Sequence, residues 1–163
     1  MSRATLGLIG WILFTCLASI SGAVTAKTAQ SFYAALDKPR WAPPAWLFGP
    51  AWGVLYLCMA VAAWSVWRDY GFDGARGALV LYVVHLIFNT SWSYFFFARR
   101  SGLWSTIDAV LLSMSVYATG IVFWQYNRGS GLLFVPYMMW VTLATALTVS
   151  VWRRNPQLLG IRD

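Results

Sequence analysis

Charged residues in this chain stand almost only at the ends of long uncharged runs. Between Arg3 and Lys27 lie 23 residues without a charge, between Arg40 and Arg68 lie 27, and between Arg76 and Arg99 lie 22. Arg128 to Arg153 encloses 24, and Arg100 to Arg128 encloses 27 interrupted once, by Asp108. A helix needs about 20 largely apolar residues to cross a hydrocarbon core about 30 Å thick. Five such segments fit, near 5–26, 44–67, 77–98, 103–126 and 131–152. The alternation over about ten residues that marks a membrane barrel strand is not found in these runs. The expected fold class is therefore an all-α integral membrane protein, a five-transmembrane-helix bundle forming one transmembrane domain over 1–163.

Composition supports this and removes other classes. Of the 163 residues, 60% are hydrophobic and 10% charged, against about 25% charged in ordinary soluble domains. The net charge of +7 could indicate nucleic acid, but the basic residues flank apolar spans, so no nucleic-acid partner is expected. Two cysteines without a CxxC or Cys/His cluster offer neither a disulfide framework nor a zinc site, and no metal is expected. Phosphate-binding loop, nucleophile elbow and paired carboxylates are all missing from the sequence.

The basic residues also orient the spans. Arg3, Arg68, Arg76 and Arg128 fall on one side, and Lys27, Lys38, Arg40, Arg99, Arg100, Arg153, Arg154 and Arg162 on the other. The richer side faces the cytoplasm, which places the N-terminus outside and the C-terminus inside. The first run, ending in Val24-Thr25-Ala26, imitates a signal peptide. Its length and Trp11 read better as a spanning helix.

The short connections near 99–102 and 127–130 make spans 3, 4 and 5 antiparallel neighbours. Loop 27–43 is longer, and its Pro- and Trp-rich end, from Lys38-Pro39-Arg40-Trp41 to Trp46, cannot be regular helix. It reads equally as an interfacial anchor or as a lid over a cavity.

Most of the eleven tryptophans lie near span ends, as interfacial tryptophans do. Trp52 and Trp140 do not. Trp140 is 12 residues from Arg128 and 13 from Arg153, about 18 Å from either flank. A buried indole N–H in hydrocarbon requires an acceptor, so both face the protein interior, as core or as a cavity wall. On span 3, His85, Asn89 and Trp92 share a helical face. Asn89 is either interhelical glue or a site residue. His85, the lone histidine, could be an axial haem ligand but is more simply a hydrogen-bonding bundle residue. Asp108 is placed early in span 4, where a helix N-terminus favours a carboxylate. Pro136, Trp140 and Ala144 share a face of span 5, with a kink expected at Pro136. Gly49-x-x-x-Gly53 and Ala18-x-x-x-Gly22 would permit close helix approach.

These residues resemble the translocator protein family, whose members are also called tryptophan-rich sensory proteins or peripheral-type benzodiazepine receptors. The resemblance is carried in order by Tyr33, Leu36, Lys38-Pro39, Trp41, Pro43-Pro44, Trp46, Phe48, Trp52 and Leu55-Tyr56. Asn89 with Trp92 and Phe96-Phe97 follows, then Trp104 with Asp108. Pro136-Tyr137, Trp140, Ala144-Thr145, Trp152-Arg153 and Asn155 complete it. It implies a homodimeric five-helix bundle whose cavity, closed by the first loop, binds tetrapyrroles (protoporphyrin IX or haem) and hydrophobic drug-like molecules. The implied ligand-binding positions are Tyr33, Pro44, Trp52, Tyr56, Asn89, Trp92, Ala109, Trp140 and Ala144. Val149 stands where the sterol motif of animal members has tyrosine, and this departure points to a bacterial member. A bacterial cell membrane is then the expected location, with the mitochondrial outer membrane its eukaryotic counterpart.

Three functions follow as expectations. The first is a receptor or sensor that stacks a tetrapyrrole among tryptophans, its propionates near Lys38 and Arg40. The second is light-dependent porphyrin degradation with Trp52 and Trp140 as catalytic electron donors. The third is facilitated transport of tetrapyrroles or sterols.

Overall fold

Each uncharged run is helical in the computed structural model, which describes residues 2–160; of residues 19–28 it describes the backbone and not the side chains. Arg162, the side chains of Val24, Thr25, Ala26 and Lys27, and the surroundings of Gly22 lie outside the described residues. Helix α1 is Arg3–Ala35, α2 Ala45–Gly74, α3 Arg76–Ser93, α4 Gly102–Tyr126, α5 Arg128–Arg154 and the short α6 Pro156–Leu159. A single π-helical stretch, Tyr94–Ala98, extends α3. Among the described residues, four helices are long and apolar enough to cross a membrane: α2, α3 with its extension, α4 and α5. The Arg3–Ala18 part of α1 is a shorter apolar stretch by the same measure.

Local chemistry sets the boundaries. Ser2 caps α1, its hydroxyl accepting from the Thr5 N–H at 3.1 Å. Asn127 caps α5, its Oδ1 accepting from the Ser130 N–H at 3.2 Å, and Arg153 and Arg154 sit in the last turn, where cations oppose the negative end of the helix dipole. Gly71, with φ 68° and ψ −175°, breaks the path of α2 after Tyr70. A side chain at such a backbone would be strained. Arg100 also has positive φ, 51°, as the chain turns into α4, and its guanidinium lies 4.7 Å from the centre of the Phe32 ring.

One expectation is corrected. Helix α1 continues through Ala35 rather than ending near residue 26, so the first loop is 36–44 and not 27–43. Lys38 helps end it: Nζ donates to the carbonyls of Tyr33 at 2.7 Å and Leu36 at 2.8 Å. Pro136 lies inside α5, on its exposed side, and the helix continues through it from Arg128 to Arg154.

The helices contact one another in a ring, α1–α2–α5–α4–α3 and back to α1. Sequence neighbours α3, α4 and α5 pack side by side, as their short connections require. The core is aromatic and aliphatic, with Met59, Val66, Tyr82, Phe123, Phe134 and Tyr137 all buried. Less than half of the most apolar window of each span is buried. The remainder, including Val54, Ile87, Met114 and Met139, faces outward, as does Leu13 of α1. An apolar exterior around a polar-spotted interior suits lipid as solvent.

Candidate functional site

Asn89 joins three helices inside the ring. Its Oδ1 accepts from the Tyr56 hydroxyl of α2 at 2.7 Å, and its Nδ2 donates to the Tyr137 hydroxyl of α5 at 2.8 Å. Satisfied polar groups of this kind hold helices together where water is excluded. The Tyr56 ring stacks on Trp52, centroids 5.5 Å apart. Trp52 meets Tyr137 edge to face at 6.0 Å and Trp140 at 6.4 Å. Ring contacts continue from Trp140 to Phe48 at 5.6 Å and from Phe48 to Tyr33 at 5.3 Å. The Tyr33 hydroxyl donates to the Pro43 carbonyl at 3.0 Å. A connected aromatic path thus runs from the bundle interior to the first loop.

Trp92 stacks on Phe96 at 5.2 Å and packs against both core clusters. The indole nitrogens of Trp92 and Trp140 are buried without a hydrogen-bond partner among the described residues. Each leaves a donor unmet in an apolar setting, at a cost of about 1–3 kcal/mol.

The structure therefore brings Tyr33, Trp52, Tyr56, Asn89 and Trp140 into one group, with Trp92 beside the same core. Pro44, Ala109 and Ala144 are not joined to it by a hydrogen bond or ring contact among the described residues. Pro44 is exposed at the start of α2. Ala109 is buried, its carbonyl accepting from Thr145 of α5 at 3.2 Å. Ala144 is half-buried on α5. Tyr137 and Phe48 belong to the group although the sequence reading gave them no site role. The available signal was helical spacing: Tyr137 is three residues before Trp140, and Phe48 four before Trp52, each pair on one face.

Two other readings change, and the reading of His85 as a bundle residue holds. His85 is fully buried, with Nε2 3.4 Å from the Met59 sulfur and its ring packed on Tyr82, Phe134 and Tyr137. Those rings fill the space that an axial haem would need. Lys38 is spent on backbone carbonyls at the end of α1, which takes it away from ligand propionates and leaves the exposed Arg40. Asp108 has a specific partner, the Ser91 hydroxyl of α3, which donates to Oδ1 at 2.6 Å. It stands in the second turn of α4, past the first turn in which the helix dipole is felt.

Two sizeable grooves indent the outer surface, one of about 850 Å³ between α4 and α5 and one of about 750 Å³ between α1, the end of α2 and α3. Neither includes a residue of the aromatic group, whose rings pack on one another.

The sequence model of the TspO/MBR family matches residues 10–153. The chain is 39% identical over 154 residues to Protein CrtK of Rhodobacter capsulatus, covering 93% of this chain and 94% of that one. It is 35% identical over 149 residues to the tryptophan-rich sensory protein of Cereibacter sphaeroides, with 89% and 92% covered. To the human translocator protein it is 36% identical over 126 residues, covering 76% and 75%. With its helices, its aromatic interior and these relatives in agreement, the chain belongs to the TspO/MBR family of multi-pass membrane proteins.

Proposed function

We infer that this protein is a membrane receptor or sensor, a five-span bundle that binds tetrapyrroles such as protoporphyrin IX or haem, and hydrophobic drug-like molecules, inside its ring of helices. The observation that carries this reading is the pair of buried indole N–H groups at Trp92 and Trp140 with no acceptor among the described residues. Trp140 stands with the rings of Trp52 and Phe48, and Trp92 with Phe96 and Phe97, three residues along α3 from the polar centre at Asn89. Flat apolar faces with a few fixed polar groups suit a planar macrocycle bearing hydrogen-bond acceptors. Because the rings now touch one another, entry requires Trp52 and Trp140 to part, with the 36–44 loop as lid. Pro44, Ala109 and Ala144 would complete the site as its margin. The N-terminus lies outside, the C-terminus inside, and the exposed Gly49 and Gly53 leave a smooth face for a second copy.

A dark titration of the detergent-purified protein with protoporphyrin IX tests this. Saturable quenching of tryptophan fluorescence is expected near micromolar ligand, about −8 kcal/mol. The Trp52→Phe, Trp140→Phe double variant should bind more weakly. Linear quenching, identical in both proteins, would reduce the signal to partition into detergent and return the two tryptophans to the core.

A second reading, light-dependent porphyrin degradation, is favoured by the contact of Trp52 with Trp140, centroids 6.4 Å apart. Two adjoining indoles could supply an electron to an excited tetrapyrrole while dissolved oxygen acts as the oxidant. Product formed under light at the same rate by the double variant would end it. Facilitated transport has only the word translocator in relatives' names behind it, and equal tetrapyrrole flux across vesicles with and without the protein would remove it.

A further inference from the structure

We propose that the 750 Å³ groove on the outer face of α1 and α3 is a binding site for a zwitterionic phospholipid, one whose headgroup carries both an ammonium and a phosphate. The break at Gly71 creates the mouth of this groove. Its φ of 68° diverts the chain after Tyr70, and Phe72 then packs on Trp67, centroids 5.9 Å apart, and on Trp11 at 6.2 Å. Trp11, Trp67 and Phe72 all line the groove, and so do Asp73 and Arg76. Three aromatic rings beside a carboxylate are the elements that recognise an organic ammonium. A guanidinium matches phosphate.

The two charges are what single out the occupant. Asp73 and Arg76 are exposed, of opposite sign and three residues apart, yet neither takes part in an ion pair among the described residues. An anionic lipid would satisfy Arg76 and meet repulsion from Asp73. A headgroup with both charges satisfies each of them. The depth also fits. From Arg76 to the inner end of the groove at Val84 is eight residues, about 12 Å along α3, so the walls reach from headgroup level into the acyl region of one leaflet. Gly10 borders open space in the groove, since a Cβ there would meet nothing within 4 Å, so a long side chain placed there would fill it. This site is separate from the aromatic group at Asn89 and stands whether or not that group binds tetrapyrroles.

Native mass spectrometry of the delipidated full chain, titrated with phosphatidylethanolamine or phosphatidylglycerol of identical acyl chains, tests the proposal. The wild type should retain phosphatidylethanolamine about tenfold better, the scale of a cation–π and carboxylate contact to one ammonium. Asp73→Asn should erase that preference, and Arg76→Gln should weaken both lipids. Gly10→Leu should block both while leaving helix content and thermal unfolding unchanged. Equal retention of the two lipids by the wild type would overturn the proposal. So would undiminished binding in Gly10→Leu. If Gly10→Leu instead alters the number of copies per particle and leaves lipid retention intact, the groove is a contact between chains and the lipid site is refuted.

Discussion

The side-chain amide of Asn155 brackets the backbone of Asp37: Oδ1 accepts from the Asp37 N–H at 2.8 Å and Nδ2 donates to the Asp37 carbonyl at 2.9 Å. The same Nδ2 also reaches the Val151 carbonyl at 2.8 Å. One residue at the end of α5 thereby holds the first loop as a neighbouring strand would. Asn155→Ala should lower stability by about 1–3 kcal/mol through the unpaired backbone groups it leaves, and should speed ligand entry by freeing the loop. Asp37→Ala keeps the backbone bracket and removes only the exposed 3.6 Å pair with Arg154, so it should cost under about 1 kcal/mol. Thermal unfolding in detergent and stopped-flow quenching by protoporphyrin IX would separate the two.

Asn89 predicts a non-additive result. Asn89→Leu strands the hydroxyls of Tyr56 and Tyr137 together and should cost about 2–4 kcal/mol, from two lost bonds of the kind that leave buried groups unpaired. Tyr56→Phe and Tyr137→Phe each strand one side of the amide and should cost less. A double-mutant cycle between Tyr56 and Tyr137 should show coupling through Asn89, and strict additivity would argue against a shared network.

These two cases show what the sequence made legible. Asn89 was readable as an interior residue because a polar side chain within a span faces the bundle, and Trp52 and Trp140 because distance from flanking charges along a helix measures depth in the bilayer. The helices themselves were readable for the same reason, except that the end of α1 was hidden. Its continuation past Lys27 is fixed partly by Lys38 reaching back to its carbonyls, a contact between residues whose types alone say nothing of it. The partners of Asn89, of Asp108 and of Asp37 were equally hidden, since each lies on another helix. Polar residues in a span announce that they need partners; only the packing names them.

Asp108 gives a pair of outcomes with opposite expectations. Ser91→Ala removes the donor to a buried acid and should destabilise by about 1–3 kcal/mol. Asp108→Leu removes the acid itself, and Ser91 retains the Phe88 carbonyl at 3.1 Å, so that variant should be close to neutral. Unfolding midpoints of the two proteins check the sign. A greater loss in Asp108→Leu would mean that the acid has a role beyond this bond.

Glycines facing the α4–α5 seam should be intolerant where those facing outward are not. A Cβ at Gly131 would lie 2.7 Å from the Trp124 Cα and 3.0 Å from its backbone nitrogen, neither of which moves without shifting α4. Gly131→Ala should cost about 1–3 kcal/mol. At Gly77 a Cβ meets nothing within 4 Å, and Gly77→Ala should be neutral or stabilising by up to about 1 kcal/mol from helix propensity. Thermal unfolding of both variants settles the contrast.

The ring order of the helices has a consequence for how the protein is made. The α1–α2, α3–α4 and α4–α5 seams join successive helices and need only short loops to close, whereas the α2–α5 seam joins the most distant partners in sequence. Contacts of long sequence separation form late, because loop-closure entropy must be met first. Trp52 and Trp140 sit on that seam. The aromatic group is accordingly among the last parts of the molecule to be assembled, and a chain released before α5 is inserted holds every helix of the wall but one and Trp52 without its partner Trp140.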